Sequence, residues 1–503
     1  MELQCRLTVP ATELDQVIKW CKILVRGAGT VPTCTLCSRQ GGVIHLVVQQ
    51  GRSASALLLA GATVDHGGIP EDGLAVEIEE LEEAYAVVAP GSKKEAAGAE
   101  IDWRIDRVEV CTEKDGEEGA ETRAEYRSEL RSTTASAALE MRGTWDQPVI
   151  PAEILFDERY PAPPTPDDPN EPTPPWPAGA QLTWRGECVD AEELASAIRR
   201  AASLADIGDC PYPGFFLDFG EEYPTSLHVV GTEGAALVAQ RLDRYGGPPD
   251  RPLVGDVVVP HGDWRVWVGA LTGSAKASAT ARVGIVGYTR QEAAEVRRKA
   301  HEGNNTGTAV GCPGVGYFLL VTPGGYRFAV QVEDRRPPDW RHVIPASLDA
   351  DNRPQGGWVV RVDSKELLDA IKRLSRRAKR EWPGAASIAL QVSVDPPTFR
   401  CVVVGRCDGT YTKEGKIPKP AAAVVLPYAR VETRGGWAND HADKEARWAL
   451  PISSNLLSLA VKGLAVERLR LDIPGQPITS MVLRPADDAA SHRLLWLVMP
   501  VNG

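Results

Sequence analysis

No stretch of this 503-residue chain holds the run of about 18 apolar residues that a membrane-crossing helix requires, so no span is expected. The opening segment Met1-Glu2-Leu3-Gln4-Cys5-Arg6 has no basic stretch followed by an apolar one, so no secretory leader is expected and a cytoplasmic location follows. Also missing are a Gly-x-Ser-x-Gly elbow, a phosphate loop ending in Gly-Lys-Ser/Thr and a His-Glu-x-x-His pair. Gly311-Cys312-Pro313-Gly314-Val315-Gly316 is glycine-rich, but it precedes a strand pattern at Tyr317 to Val321 and reads as a turn. Cys34 and Cys37 have knuckle spacing, yet neither a second close pair nor a His pair accompanies them. His441 between Asp440 and Asp443 is one imidazole in a Gly-rich acidic loop, read as solvated. These absences predict no catalytic residue, no metal and no cofactor; the chain is not expected to be an enzyme.

What remains is a globular composition, with 43% hydrophobic and 25% charged residues. The length exceeds what one core serves and fits three domains. Ten cysteines in a reducing compartment read as buried thiols. A net charge of -12 argues against wrapping nucleic acid with the whole surface. It leaves open a segregation of bases onto one face.

Three distant segments are copies of one another: Val9-Pro-Ala-Thr-Glu13-Leu14 through Ile18-Lys19, Val189-Asp-Ala-Glu-Glu193-Leu194 through Ile198-Arg199, and Val362-Asp-Ser-Lys-Glu366-Leu367 through Ile371-Lys372. Each opens a helix, and the spacing between copies is that of a domain. Asp190 with Glu193 and Asp363 with Glu366 have capping-box spacing. Weaker echoes follow, in His45 to Val48, His228 to Val230 and Val402 to Val404, and second helices are expected after Val76, Pro260 and Pro451. Each third therefore reads as two strand–helix–strands units, an α+β chain with helices on one side of antiparallel sheets. The expected domains are 1–159, 180–353 and 354–503. Between the first two, the proline-dense stretch 160–179 reads as a polyproline spacer, with a proline-motif ligand for a partner as the other reading. An extra surface helix is expected near 291–302.

Charge concentrates in the third copy. Leu367, Ile371, Leu374 and Ala378 form one buried stripe, and Lys372, Arg373, Arg376, Arg377, Lys379 and Arg380 crowd the rest of the helix. Arg199 and Arg200 occupy the matching positions in the second copy, and Lys19 and Lys22 continue the theme in the first. A charge run by itself reads as a solvated face. Recurrence in three copies of an acidic chain favours phosphate contact, independent of sequence and sensitive to salt.

Pro338-Asp339-Trp340-Arg341-His342-Val343-Ile344-Pro345 resembles the Pro-Asp-Tyr-x-x-Val-Ile-Pro crossing of bacterial DNA polymerase sliding clamps, the beta clamps. Leu497-Val498-Met499-Pro500-Val501 resembles that family's terminal strand, and Gly231-Thr232-Glu233-Gly234-Ala235-Ala236-Leu237 its Ala-Thr-Asp-Gly-His-Arg-Leu turn. In order and placement against the threefold repeat, the resemblance covers nearly the whole chain. It implies three clamp domains, helices inside and sheets outside, in a ring-shaped homo-oligomer (a dimer in the family) around double-stranded DNA. It further implies a processivity factor in DNA replication, a DNA polymerase III subunit that tethers the replicative polymerase and needs a clamp loader. The implied partner-peptide pocket is Tyr212, Thr232, Gly234, Leu237, Pro338, His342, Val343, Ser480, Leu497, Met499, Pro500 and Val501.

The departures are specific. The family's His-Arg in the turn is Ala235-Ala236 here, and its Arg in the crossing is His342. The apolar pair that helps seal the family's ring falls at Arg376 and Arg377, which implies an ionic seal with acids such as Glu117, Glu118 and Glu121. Dimer against another ring stays open, as does a clamp-derived interaction protein, such as a plasmid or phage decoy, that does not encircle DNA.

Overall fold

The computed structural model of the chain describes residues 2–26, 32–39, 42–50, 53–70, 73–113, 120–141, 155–156, 159–161, 181–205, 214–220, 227–245, 255–260, 264–273, 279–286, 316–332, 339–343, 357–381, 387–394, 397–404, 420–433, 448–474, 480–487 and 493–499. The expected helix near 291–302, the turn at 311–315, the His441 loop and most of the proline-rich stretch lie outside these residues.

Six helices of ten residues or more stand among the described residues: α1 (Ala11–Leu24), α2 (Ile78–Val88), α3 (Ala191–Ala205), α4 (Trp264–Gly273), α5 (Ser364–Glu381) and α6 (Ser454–Leu464). None is long and apolar enough to cross a membrane. The repeated positions are equivalent in packing: Leu14, Leu194 and Leu367 are each 0% exposed, and Ile18, Ile198 and Ile371 are buried beside them. Both predicted capping carboxylates work. Asp190 Oδ1 accepts from the Glu193 amide at 2.8 Å, and Asp363 Oδ1 from the Glu366 amide at 3.0 Å. In the first copy Pro10 holds the cap position without a side-chain bond, and the Ala11 amide is satisfied by Ala99 O at 2.9 Å.

All described strand pairs are antiparallel, and entering strands exchange partners between the two halves of a third. Glu2–Pro10, which feeds α1, pairs with Glu100–Glu113, which leaves the α2 region; Leu74–Glu77, which feeds α2, pairs with Thr33–Arg39 after α1. The same exchange joins Gly357–Asp363 to Arg468–Pro474 and Trp448–Ser453 to Ser387–Val394. The doubled motif thus contributes to two sheets, each holding strands from both halves of the third.

By compactness the chain divides into two units. One comprises Met1–Ser196, Glu221–Pro224 and Arg244–Asp334, the other Ala197–Gly220, Thr225–Asp243 and Arg335–Gly503, with the division falling inside α3. The reason lies in the sheets, which run past the expected boundaries. In the first unit Arg327–Gln331 pairs with Ser53–Leu59, placing Ala329 opposite Ala54. In the second, Ala236–Leu242 pairs with Leu494–Val498, placing Leu237 opposite Leu497. Tyr160 and Pro161, the start of the expected spacer, instead form an edge strand, Arg159–Pro161, against Gln181–Asp190. Proline suits an edge because it has no amide to donate. Nearby, Leu155 is fully buried on Cys37, Val47, Ala54, Ala56 and Ala329, and its carbonyl accepts from Arg327 Nη1 at 3.0 Å.

Candidate nucleic-acid interface and peptide pocket

Helix α5 positions most of the predicted cations. Its apolar stripe of Leu367, Ala370, Ile371, Leu374 and Ala378 is buried, so one turn of geometry puts Lys372, Arg373, Arg376, Arg377, Lys379 and Arg380 in solvent. Arg377 pairs with Glu381 at 2.6 Å. The other five have no ion pair among the described residues. At 100° per residue, Arg373, Arg377 and Arg380 share one flank, Lys372 and Lys379 the other, and Arg376 stands opposite the stripe.

The first copy is different. Lys19 is exposed but bonded to Asp15 at 2.5 Å, one turn back on its own helix. Lys22 reaches across to Glu82 of α2 at 2.5 Å, tying the two helices together. Helix α2 itself carries Glu79, Glu80, Glu82 and Glu83 and no base.

In the second copy Arg199 is exposed, but Arg200 is drawn into the fold. Its Nε donates to Gly463 O at 2.6 Å, near the end of α6, and its Nη1 to Gln240 Oε1 at 2.5 Å. Burial lowers the Arg200 pKa from its usual value, and the Arg199 charge lowers it further. The guanidinium is a brace between a strand and a helix end. Sequence reasoning missed this because offset matching reports position, and the captured carbonyl lies far along the chain.

The predicted pocket residues fall in two groups. The hairpin of Leu227–Thr232 and Ala236–Leu242 turns through Glu233-Gly234-Ala235, with Gly234 at φ +98, a conformation that suits glycine. Thr232 Oγ1 donates to Ala236 O at 2.9 Å and accepts from the Gly234 amide at 3.2 Å. The Met499 amide donates to Ala235 O at 2.8 Å, which brings the terminal strand to the turn. Ser480 precedes Met481, whose register partner is Val498, so it stands at the same sheet end. Thr232, Gly234, Leu237, Ser480, Leu497 and Met499 are therefore neighbours, with Leu237 and Leu497 buried and Met499 half-buried. Burial raises the Glu233 carboxyl pKa, opposed by the Ala235 and Ala236 amides.

His342 and Val343 belong to the single-turn helix Trp340–Val343. Trp340 Nε1 donates to Asp218 Oδ2 at 2.7 Å, Arg341 pairs with the same carboxylate, and the Trp340 ring lies 5.2 Å from that of His228. His342 is exposed and pairs with Asp339 at 2.6 Å. The anchors of the crossing are thus Asp218 and His228, which sequence reasoning missed; a carboxylate ending the buried strand Gly214–Asp218 was the available signal. Tyr212, Pro338, Pro500 and Val501 lie outside the described residues, as do Glu117 and Glu118.

No protein-family profile matches the chain, and no curated protein matches it. Solved structures do. The C. crescentus beta sliding clamp is 13% identical, with 99% of each chain covered and a TM-score of 0.61. The Bacillus subtilis DNA polymerase sliding clamp is also 13% identical at a TM-score of 0.61, over 99% of this chain and 100% of that one. The DnaN sliding clamp (DNA polymerase III subunit beta) of Pseudomonas aeruginosa, solved bound to griselimycin, is 15% identical over the same shares at 0.58. This chain has the sliding-clamp fold. The expected α+β class and the resemblance in the crossing, turn and terminal strand agree with that likeness. At such identities the clamp likeness concerns the fold, and residue roles rest on the geometry above.

Proposed function

We propose that the chain is a DNA sliding clamp: a non-catalytic ring of identical copies that encloses duplex DNA and tethers a replicative polymerase. The observation that carries this reading is the solvent face of α5, where seven bases, the predicted six and Lys365, stand exposed on a chain of net charge -12 with the clamp fold. Phosphate contact would come from Lys372, Arg373, Arg376, Arg377, Lys379 and Arg380, joined by Arg199 and by Lys19 and Lys22 once their carboxylates yield. Arg200 is left out, since its guanidinium is held within the fold by Gly463 O and Gln240 Oε1. A peptide from the polymerase or loader would dock where Thr232, Gly234, Leu237, Ser480, Leu497 and Met499 meet, an apolar seat with few polar edges. His342 and Val343 would border it from the crossing.

A second reading, a clamp-derived interaction protein that holds partners without enclosing DNA, is favoured by the pairing of Lys19 with Asp15 and Lys22 with Glu82. Fluorescence anisotropy with two unrelated duplexes separates them. The clamp reading predicts equal affinity for both and a steep loss between about 50 and 200 mM salt. Absence of duplex binding at the lowest salt would overturn it in favour of the second.

A further inference from the structure

At matching positions of the repeat, the first third carries acids beside its bases and the other two thirds do not. Lys19, Arg199 and Lys372 each stand ten residues after the repeated valine, at Val9, Val189 and Val362. One turn earlier, six residues after that valine, the first copy has Asp15, the second Ala195 and the third Leu368. Of these three only Asp15 can hold a base, and it does. Lys19 Nζ lies 2.5 Å from Asp15 Oδ2, with the acid N-terminal to the base, the favoured order along a helix. Arg199 and Lys372 are exposed, with no acid at that place.

The second helices differ in the same sense. Helix α2 has Glu79, Glu80, Glu82 and Glu83, whereas α4 and α6 have no acid and one base each, Arg265 and Lys462. Lys22 Nζ donates to both oxygens of Glu82, at 2.6 and 2.5 Å. Two other acids serve the fold: Glu80 Oε1 accepts from the Glu140 amide at 2.7 Å, and Glu13 Oε2 from the Gly61 amide at 2.9 Å. Asp15 and Glu82 have no hydrogen-bond partner but these lysines among the described residues. A lysine that meets phosphate gains by releasing counterions from the duplex. Where the lysine already faces a carboxylate, the phosphate must approach a second negative charge and part of that gain is lost.

We propose that Asp15 and Glu82 limit the hold of this chain on duplex DNA by keeping Lys19 and Lys22 from phosphate. The role rests on the clamp reading and deepens it. Grip belongs to the α5 bases and Arg199, while the first third meets the duplex with its lysines neutralised. A protein that slides along a polyanion gains from such a restraint, because each phosphate contact has to break at every step.

Removal of the two carboxylate charges tests this on the full chain, by fluorescence anisotropy of a short labelled duplex between about 50 and 200 mM salt. Asp15→Asn and Glu82→Gln keep shape and remove charge. Combined, they are expected to tighten binding about tenfold at the lowest salt, about threefold for each exposed pair released. The slope of log affinity against log salt should steepen by about 0.9 for each lysine that gains a phosphate. Lys19→Ala with Lys22→Ala should leave the parent's affinity within about twofold, and should erase the gain when added to the two carboxylate substitutions. All four side chains are between 40% and 67% exposed, so these variants keep the fold, and equal thermal midpoints verify it. A parent chain that binds no duplex at the lowest salt overturns the clamp reading, and this role with it. A parent that binds while the carboxylate variants bind equally, or a gain that survives loss of both lysines, overturns this role alone. So does a clear loss of affinity when the lysines are removed from the parent, since lysines held back have little affinity to give.

Discussion

Arg200 shows how a side chain's job depends on what lies within reach. Arg199 beside it is exposed, whereas Arg200 is bonded to Gly463 O and Gln240 Oε1. Arg200→Ala strands two acceptors and should cost about 2–3 kcal/mol of stability in urea unfolding. Arg199→Ala should stay within about 0.5 kcal/mol, as exposed substitutions do. Equal effects would mean that the brace has no weight. Two thiols give a second check. Burial pushes Cys5 up to about 11, with Asp65 adding to the shift, and Cys401 to about 12. A raised thiol pKa leaves only about one thiolate in a thousand or fewer at pH 8, and the thiolate is the reactive form. Alkylation followed by peptide mass mapping should label Cys5 and Cys401 only after denaturation; rapid labelling in the native chain would contradict their burial. At this scale the sequence was legible where a rule is local, as with the capping Asp190 and Asp363. It was opaque where the partner is distant, as with Arg200 and Gly463, or Trp340 and Asp218.

Helices and strands were the most legible level. The stripe in α5 and the alternation from Ile101 onward each specify an element by period alone, and the structure has Ser364–Glu381 and the strands Glu100–Glu113, Ala120–Arg131 and Ser136–Met141 there. The edge strand Arg159–Pro161 was hidden, because proline-rich composition reports what a segment avoids and not what it lies beside. Contacts between elements set their own limits. Gly231 lies against α3 so closely that a methyl group there would fall 2.4 Å from Ala201 O. Since the obstacle is backbone, Gly231→Ala should destabilise by about 1–3 kcal/mol or more, while Gly68→Ala, with nothing within 4 Å, should change little. Thermal unfolding of the two variants side by side reads the difference, and a neutral Gly231→Ala would show that the strand and helix can part at little cost.

For the whole molecule, the threefold repeat was visible in the sequence because helix openings conserve offset and burial across copies. The division into two compact units was not, because sheets that continue from one third into the next are made by register, such as Leu237 opposite Leu497, and register between distant strands leaves no local mark. The proposed function is topological: closed copies of this chain would thread onto duplex DNA and could not leave a circle. Linear duplex incubated with the protein, so that rings enter from the ends, can be circularised by ligation and then passed through gel filtration in high salt. The account predicts that protein stays with the circles, is lost from unligated linear DNA, and is released when the circles are cut. Equal loss from circles and linear molecules would contradict it.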